Sequence, residues 1–238
     1  MKGVILAGGR GTRLNPVTSL LPKSLIPVYD KPMIFYPLNL LIQAGITEIL
    51  IVIDHFQADK FLKYLHSGKE FGINIHYKIQ DEPNGLPDAL LCAEKFVGDD
   101  NCMVVLGDNL VFDNLQDAAN SFASGAQSFV YEVPDPERFG ILYLDDNGNI
   151  TDLVEKPPVP MGNLALTGAY IFDSTVFSKI RKLSPSVRGE LEIVDLLKLY
   201  LMENSLTYKK LTNAWFDVGT FDSLLEAANY ISNSQKND

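Results

Sequence analysis

Cysteine is scarce: Cys92 and Cys102 are the only two in 238 residues. Two isolated thiols build neither a disulfide framework nor a zinc motif, so they read as buried thiols of a reduced compartment. Histidine is nearly as rare, and His55 and His66 fall at the ends of elements with no carboxylate or cysteine at metal-ligand spacing. Positive charge is also short, 20 Lys and Arg against 30 Asp and Glu, for a formal net charge of −10. A surface of that sign excludes nucleic acid and an anionic membrane as partners. It does not exclude a site where a few local cations hold one phosphate chain. No uncharged apolar run is long enough to span a bilayer. The chain enters a strand at Lys2 with no basic-then-apolar leader, so a cytoplasmic location is expected. What remains, 46% hydrophobic and 21% charged, is an ordinary globular balance for one domain spanning residues 1–238.

The chemistry is concentrated at the start. Val4-Ile5-Leu6-Ala7 is an apolar run that ends in Gly8-Gly9-Arg10-Gly11-Thr12-Arg13-Leu14, with Pro22-Lys23 downstream. An apolar run stopped by glycines reads as a buried strand entering a tight loop. Glycines let backbone N–H groups come close to something that a Cβ would exclude. Arg10, Arg13 and Lys23 surround the loop with cations, and N–H groups plus fixed positive charge suit a polyphosphate. A P-loop is excluded, because Gly11 is followed by Thr12-Arg13 and not by Lys-Ser/Thr. A dinucleotide fingerprint fits poorly, because Leu14 stands where its third glycine should be. A plain strand-to-helix turn is the remaining alternative.

Strands and helices then alternate. Met33 to Ala44 has helical apolar spacing closed by Gly45, and Ile49 to Ile53 is a strand buried on both faces. Helices are expected over Asp59–Leu65 and about Pro87–Phe96, and strands over Asn74–Ile79 and Met103–Leu106. That order implies a right-handed parallel α/β sheet, with ligands at the carboxyl ends of the strands. Gly8-Gly9, Gln80 and Asp108 all fall at such ends. Later come a strand over Ser128–Val133, a hairpin turned by Asp146-Asn147-Gly148, a strand over Leu164–Phe172 and a helix over Glu190–Glu203. A strand over Leu206–Leu211, a short Trp215-Phe216 strand, a helix over about Phe221–Ile231 and a frayed tail over Ser232–Asp238 close the chain.

Two carboxylates stand beside glycine at the ends of apolar runs: Asp108, in Leu106-Gly107-Asp108-Asn109, and Asp217, in Trp215-Phe216-Asp217-Val218-Gly219. Each is a turn or cap aspartate, or the two converge on phosphates as a Mg²⁺ site, which takes one or two carboxylates, phosphate oxygens and water. Glu155-Lys156-Pro157 is either an exposed ion pair or a hold on a sugar hydroxyl and a phosphate.

The string Gly8 to Leu14 with Lys23 resembles the signature of the sugar-1-phosphate nucleotidyltransferases. Pro27 to Met33, Leu106-Gly107-Asp108-Asn109, Asp135-Pro136-Glu137-Arg138-Phe139-Gly140, Glu155-Lys156-Pro157, Arg188-Gly189-Glu190-Leu191-Glu192 and Asp222 to Ala227 follow in the family's order. Over nearly all its length the chain is similar to the glucose-1-phosphate thymidylyltransferases. That resemblance implies an α/β fold with a Rossmann-like, mostly parallel central sheet flanked by helices, and a sugar-binding subdomain containing a β-hairpin. Residues 1–112 would be the nucleotide-binding half and residues 113–238 the sugar-phosphate-binding half. It implies dTTP and glucose 1-phosphate as substrates and Mg²⁺ as cofactor. Carried over by position, Leu6, Gly8, Gly9, Gly11, Thr12, Arg13, Lys23, Gln80, Gly85 and Asp108 would bind the nucleotide. Asn109, Gly140, Glu155, Lys156, Thr167 and Trp215 would bind the sugar phosphate. Asp108 and Asp217 would hold the metal, and Arg13, Lys23 and Lys156 would be catalytic.

The implied chemistry suits these residue types. The nucleophile is already a phosphate oxyanion, so an activated serine or histidine is not needed; cations and positioning are. The chain departs from the family at Pro87-Asp88, where an alanine and a polar residue are usual. It also stops soon after its last helix, where longer members continue into a regulatory helical region. A short form is therefore expected, without feedback at that site and without the subunit contacts of the usual tetramer that the region helps build; a homo-oligomer, dimer or tetramer, is expected among its partners. UTP or another hexose 1-phosphate is the nearest alternative substrate, since one methyl on a base discriminates weakly. A silent nucleotide-sugar-binding paralogue is disfavoured, because Arg13, Lys23, Asp108, Lys156 and Asp217 are all present. A nicotinamide oxidoreductase lacks its acidic ribose-binding residue at a strand end.

Overall fold

The computed structural model of the chain describes residues 1–9 and 11–236, Gln57 by its backbone alone. The first half runs β1 (Lys2–Ala7), a β2–β3 ribbon (Pro27–Val28, Lys31–Pro32), α1 (Phe35–Gln43), β4 (Glu48–Asp54), α2 (Ala58–Leu65) and β5 (Asn74–Gln80). It continues through α3 (Leu86–Leu91), α4 (Glu94–Val97), β6 (Cys102–Leu106) and β7 (Asn109–Val111). The second half runs α5 (Gln116–Ser121), β8 (Ala126–Glu132), β9 (Gly140–Leu144), β10 (Ile150–Glu155), β11 (Leu164–Phe172) and α6 (Val176–Ile180). It ends with α7 (Ile193–Met202), β12 (Leu206–Lys210), β13 (Trp215–Asp217) and α8 (Phe221–Gln235).

One nine-stranded sheet carries both halves, in the order β10-β9-β11-β6-β1-β4-β5, with β8 on β11 and β12 on β8. The neighbours β6, β1, β4 and β5 are parallel throughout. The second half enters antiparallel, β11 against β6. From β1 the chain moves outward to β4 and β5, then returns to place β6 on the other side of β1. Such a reversal opens a crevice at the carboxyl ends of the two strands. The strands read as apolar runs because both faces are covered. Ile5, Ile49, Ile51 and Val105 face one core with Leu38 and Leu41 of α1. Val4, Leu50, Val52 and Val104 alternate into a second core with Leu90 of α3 and Leu197 of α7. Burying one such side chain contributes about 1.5–3 kcal/mol.

The fold follows the expected α/β plan, and four local features differ from the sequence reading. The single helix expected over Pro87–Phe96 is two short ones, because Cys92 N and Ala93 N bond three residues back, to Ala89 O and Leu90 O. The helix expected from Glu190 begins at Ile193, because Leu191 is held in a β-bridge to Gly85 and its N–H donates to Asn84 O. The tail expected to fray from Ser232 is helical to Gln235, whose side chain donates to Asp30. Asn237 and Asp238 lie outside the described residues. The short elements β2, β3, β7, α5 and α6 carry too little periodicity to be read from sequence.

Both cysteines are free, and burial pushes the Cys102 thiol up to about 12. No helix among the described residues is long and apolar enough to cross a membrane.

Candidate active site

The crevice between β1 and β6 is where the glycine loop meets Asp108. Gly11 takes φ 61°, and a Cβ there would meet Thr18 Cγ2 at 2.9 Å and Lys23 Cβ at 3.0 Å. The loop therefore folds back onto Lys23, which is buried and whose ammonium pairs with Asp108 Oδ2 across the crevice. Gly107 allows that approach, because a Cβ on it would lie 2.7 Å from Ser24 Oγ and 3.0 Å from Ala7 Cβ. Arg10 lies outside the described residues. Thr12 and Arg13 are exposed on the loop, and the Arg13 guanidinium rests against Gly219, 3.0 Å from where a Cβ would stand.

A second ribbon brings in Asp217. Strand β13 pairs antiparallel with β7, with Asp217 opposite Asn109, and Val218 N donates to Asp108 O at 3.0 Å. The two carboxylates, remote in sequence, thus share one end of one ribbon. Burial pushes the Asp217 carboxyl up to about 6, and the charge of Asp108 adds to the rise against the pull of Lys23, Arg13 and Arg138. Neither residue caps a helix. Asp108 is oriented from behind: Trp215 Nε1 donates to Asn109 Oδ1 at 2.8 Å, and Asn109 Nδ2 donates to Asp108 Oδ1 at 2.9 Å. Among the described residues no cluster of three or more His, Cys, Asp or Glu could hold a metal. A pair of carboxylates, one of them paired with Lys23, fits an ion that takes its other ligands from phosphate and water, as Mg²⁺ does.

Two neighbouring pockets open here, one at the glycine loop and one that reaches Asp217. The smaller, about 200 Å³, is lined by Leu6, Gly8, Gly9, Gln80, Pro83, Gly85, Leu86, Ala89 and Glu190. Gln80 ends β5 and is buried, and Gly85 reaches Leu191 so closely that a Cβ would lie 2.2 Å from Leu191 O. The other, about 220 Å³, is lined by Asn109, Arg138, Gly140, Glu155, Lys156, Gly168, Arg188, Trp215 and Asp217, among others. Leu86 and Glu190 line both, so the two pockets meet. Gly140 keeps the floor open, since a Cβ there would press on Glu155 Oε2 at 3.1 Å. Lys156 takes φ 44°, a conformation that L residues seldom adopt, and its Nζ stands 3.4 Å from Glu155 Oε1 on the rim. Thr167 is buried with its hydroxyl donated to Phe129 O at 2.9 Å, and its neighbour Gly168 lines the pocket.

The sequence assigned no role to Arg188, Arg138 or Asp88. Arg188 Nη2 reaches Glu155 Oε1 at 3.1 Å and Glu192 Oε2 at 2.8 Å, which carries a second guanidinium into the larger pocket beside Lys156. The i,i+4 spacing of Arg188 and Glu192 was a visible signal; the contact with Glu155 was not. Asp88 accepts from Gln80 Nε2 at 2.9 Å.

Comparison with known proteins agrees with this geometry. Residues 2–234 match the family model described as nucleotidyl transferase. The chain is 44% identical over 242 residues to a glucose-1-phosphate thymidylyltransferase of Neisseria meningitidis, covering 99% of this chain and 84% of that one. It is 45% identical over 241 residues to one of Xanthomonas campestris, covering 98% and 81%. A solved structure from Bacillus anthracis, assigned as a glucose-1-phosphate thymidylyltransferase and carrying sucrose, superposes with a TM-score of 0.92 at 41% identity, over 97% of this chain and 94% of that one. A UDP-glucose pyrophosphorylase at 24% identity shares the fold, with a TM-score of 0.88 over 98% of each chain. The chain belongs to the nucleotidyl transferase family, in the group of the glucose-1-phosphate thymidylyltransferases.

Proposed function

We propose that the chain transfers a thymidylyl group from dTTP to glucose 1-phosphate and releases pyrophosphate. The observation that carries this is a pair of pockets that meet at Leu86 and Glu190, one bordered by Gly8 and Gly9 of the glycine loop, the other lined by Lys156 and Arg188 and reaching the Asp108–Asp217 ribbon through Asn109, Trp215 and Asp217, with Lys23 paired to Asp108 beside the loop. The larger pocket offers Lys156, Arg138 and Arg188 to one anion, and Lys23, packed against Gly11 of the glycine loop, is placed for the other. The base would lie in the smaller pocket against Gln80, and the triphosphate would run along the loop past Arg13 and Lys23. Glucose 1-phosphate would sit in the larger pocket, its hydroxyls toward Glu155 and its phosphate toward Lys156.

In the reaction a phosphate oxygen of glucose 1-phosphate forms a bond to the α-phosphorus of dTTP. The bond from that phosphorus to the bridging oxygen breaks, and pyrophosphate leaves with the electron pair. No proton need be removed from the nucleophile. The protein's task is to hold two anions in line against their repulsion. Lys156 neutralises the incoming phosphate through a charge-assisted bond, and Lys23 and Arg13 hold the donor chain. Asn109 and Trp215 keep Asp108 facing the junction. Asp108 and Asp217 would hold Mg²⁺, which supplies charge neutralisation at the reacting phosphates. Nucleoside triphosphates, and the free thiols Cys92 and Cys102, accord with a cytoplasmic setting.

Pyrophosphate release, followed with each nucleoside triphosphate and deoxynucleoside triphosphate against a panel of hexose 1-phosphates, tests the assignment. The expected outcome is turnover with dTTP and glucose 1-phosphate. Turnover only with another base or another hexose would replace the assignment, and no turnover with any pair would end it.

A further inference from the structure

We propose that Asp88 decides which pyrimidine the site accepts, by locking the side-chain amide of Gln80 in one of its two orientations. The proposal rests on the thymidylyl-transfer reading, in which the base occupies the pocket lined by Gly8, Gln80 and Gly85. An amide alone does not choose between thymine and cytosine. It carries one acceptor and one two-proton donor, and turning about its last bond exchanges them. A free Gln80 could accept from the ring N–H of thymine in one orientation and donate to the ring nitrogen of cytosine in the other.

Gln80 is not free. It is buried, and its Nε2 donates to Asp88 Oδ2 at 2.9 Å. Asp88 lies in the first turn of α3, half-buried, on the helix whose Leu86 and Ala89 line the pocket. A carboxylate accepts and does not donate, so only the orientation with the NH₂ toward Asp88 makes the bond. The opposite orientation sets the buried Gln80 Oε1 against a carboxylate oxygen with no proton between them, leaving two acceptors facing each other unsatisfied. The lock therefore points Oε1 away from Asp88, toward Gly8, where a Cβ would come within 3.0 Å of it. Gly8 has none, so the oxygen faces the pocket as a fixed acceptor. A fixed acceptor pairs with the N3–H of thymine or uracil. Cytosine brings a lone pair to the same place and is rejected.

The test is the ratio of kcat/KM for dTTP to that for dCTP, each with glucose 1-phosphate, in the wild type and in Asp88→Asn and Asp88→Ala. Both substitutions remove the acceptor-only partner and free the amide to turn. A ratio measured within one preparation does not depend on the folded fraction, and a merely structural defect lowers both nucleotides together. The expected result is a strong wild-type preference for dTTP that narrows at least about tenfold in a variant, with kcat/KM for dCTP rising. A smaller narrowing in both variants, with the wild-type preference intact, overturns the role of Asp88 and leaves the base pocket standing. A wild type that uses dCTP as readily as dTTP overturns both.

Discussion

Lys156 combines a strained backbone with a charge at the rim of the larger pocket, and the two contributions separate by substitution. Lys156→Ala and Lys156→Gly both remove the ammonium, so both should raise KM for glucose 1-phosphate and lower kcat. Only glycine relieves the left-handed conformation, so Lys156→Gly should melt higher than Lys156→Ala by about 1–2 kcal/mol of stability. Unchanged kinetics in both would return Glu155 and Lys156 to a surface ion pair. Asp217 carries a different tension. Its folded carboxyl titrates near 6, above the ordinary carboxylate range, so in the metal-free protein its ionisation opposes folding. Stability from this group is full below the unfolded value and falls as pH rises toward 6. With chelator present, Asp217→Asn should therefore melt higher than the wild type at pH 7, with the difference vanishing near pH 4. The same variant should lose roughly 10²-fold or more in kcat, by analogy with the loss of one preorganised electrostatic contact. A variant that melts lower at pH 7 would contradict the burial of that charge. Gln80, Asp108 and Asp217 were legible as strand-end polar residues. Arg188 and Asp88 were not, because their partners Glu155 and Gln80 meet them only when separate elements fold together.

At the scale of elements, periodicity showed the long strands and helices but not the junctions that shape the site. The start of α7 differs from its apolar pattern because Leu191 falls on the helix's apolar side, yet its backbone is claimed by the loop after β5. That bridge joins Gly85 to the segment bearing Arg188 and Glu190, and so brings the walls of both pockets together. Gly85 sits at φ 106° with its Cα against the Leu191 carbonyl. Gly85→Ala should cost about 1–3 kcal/mol of stability and raise KM for both substrates, checked by thermal melts and steady-state kinetics. A variant with altered KM for dTTP alone would confine Gly85 to the nucleoside pocket. The extension of α8 past Ile231 was hidden for a related reason: its last turn is polar, and it is held by Thr220–Ser223 capping at one end and the Gln235–Asp30 contact at the other.

In the molecule as a whole, the α/β order predicted the parallel strands and the placing of Gly8, Gln80 and Asp108 at their carboxyl ends. It could not predict that β13, from the far end of the chain, would pair with β7 and set Asp217 beside Asp108. In the proposed reaction the two substrate anions meet directly beside that ribbon, with no covalent enzyme intermediate. One measurement addresses it: a single diastereomer of dTTP with sulfur at the α-phosphate, turned over with glucose 1-phosphate, and the configuration at phosphorus read in the nucleotide-sugar product. Direct in-line attack predicts a thio-substituted dTDP-glucose with inverted configuration. Retention, or failure to form any nucleotide sugar while the protein remains folded, would contradict the account.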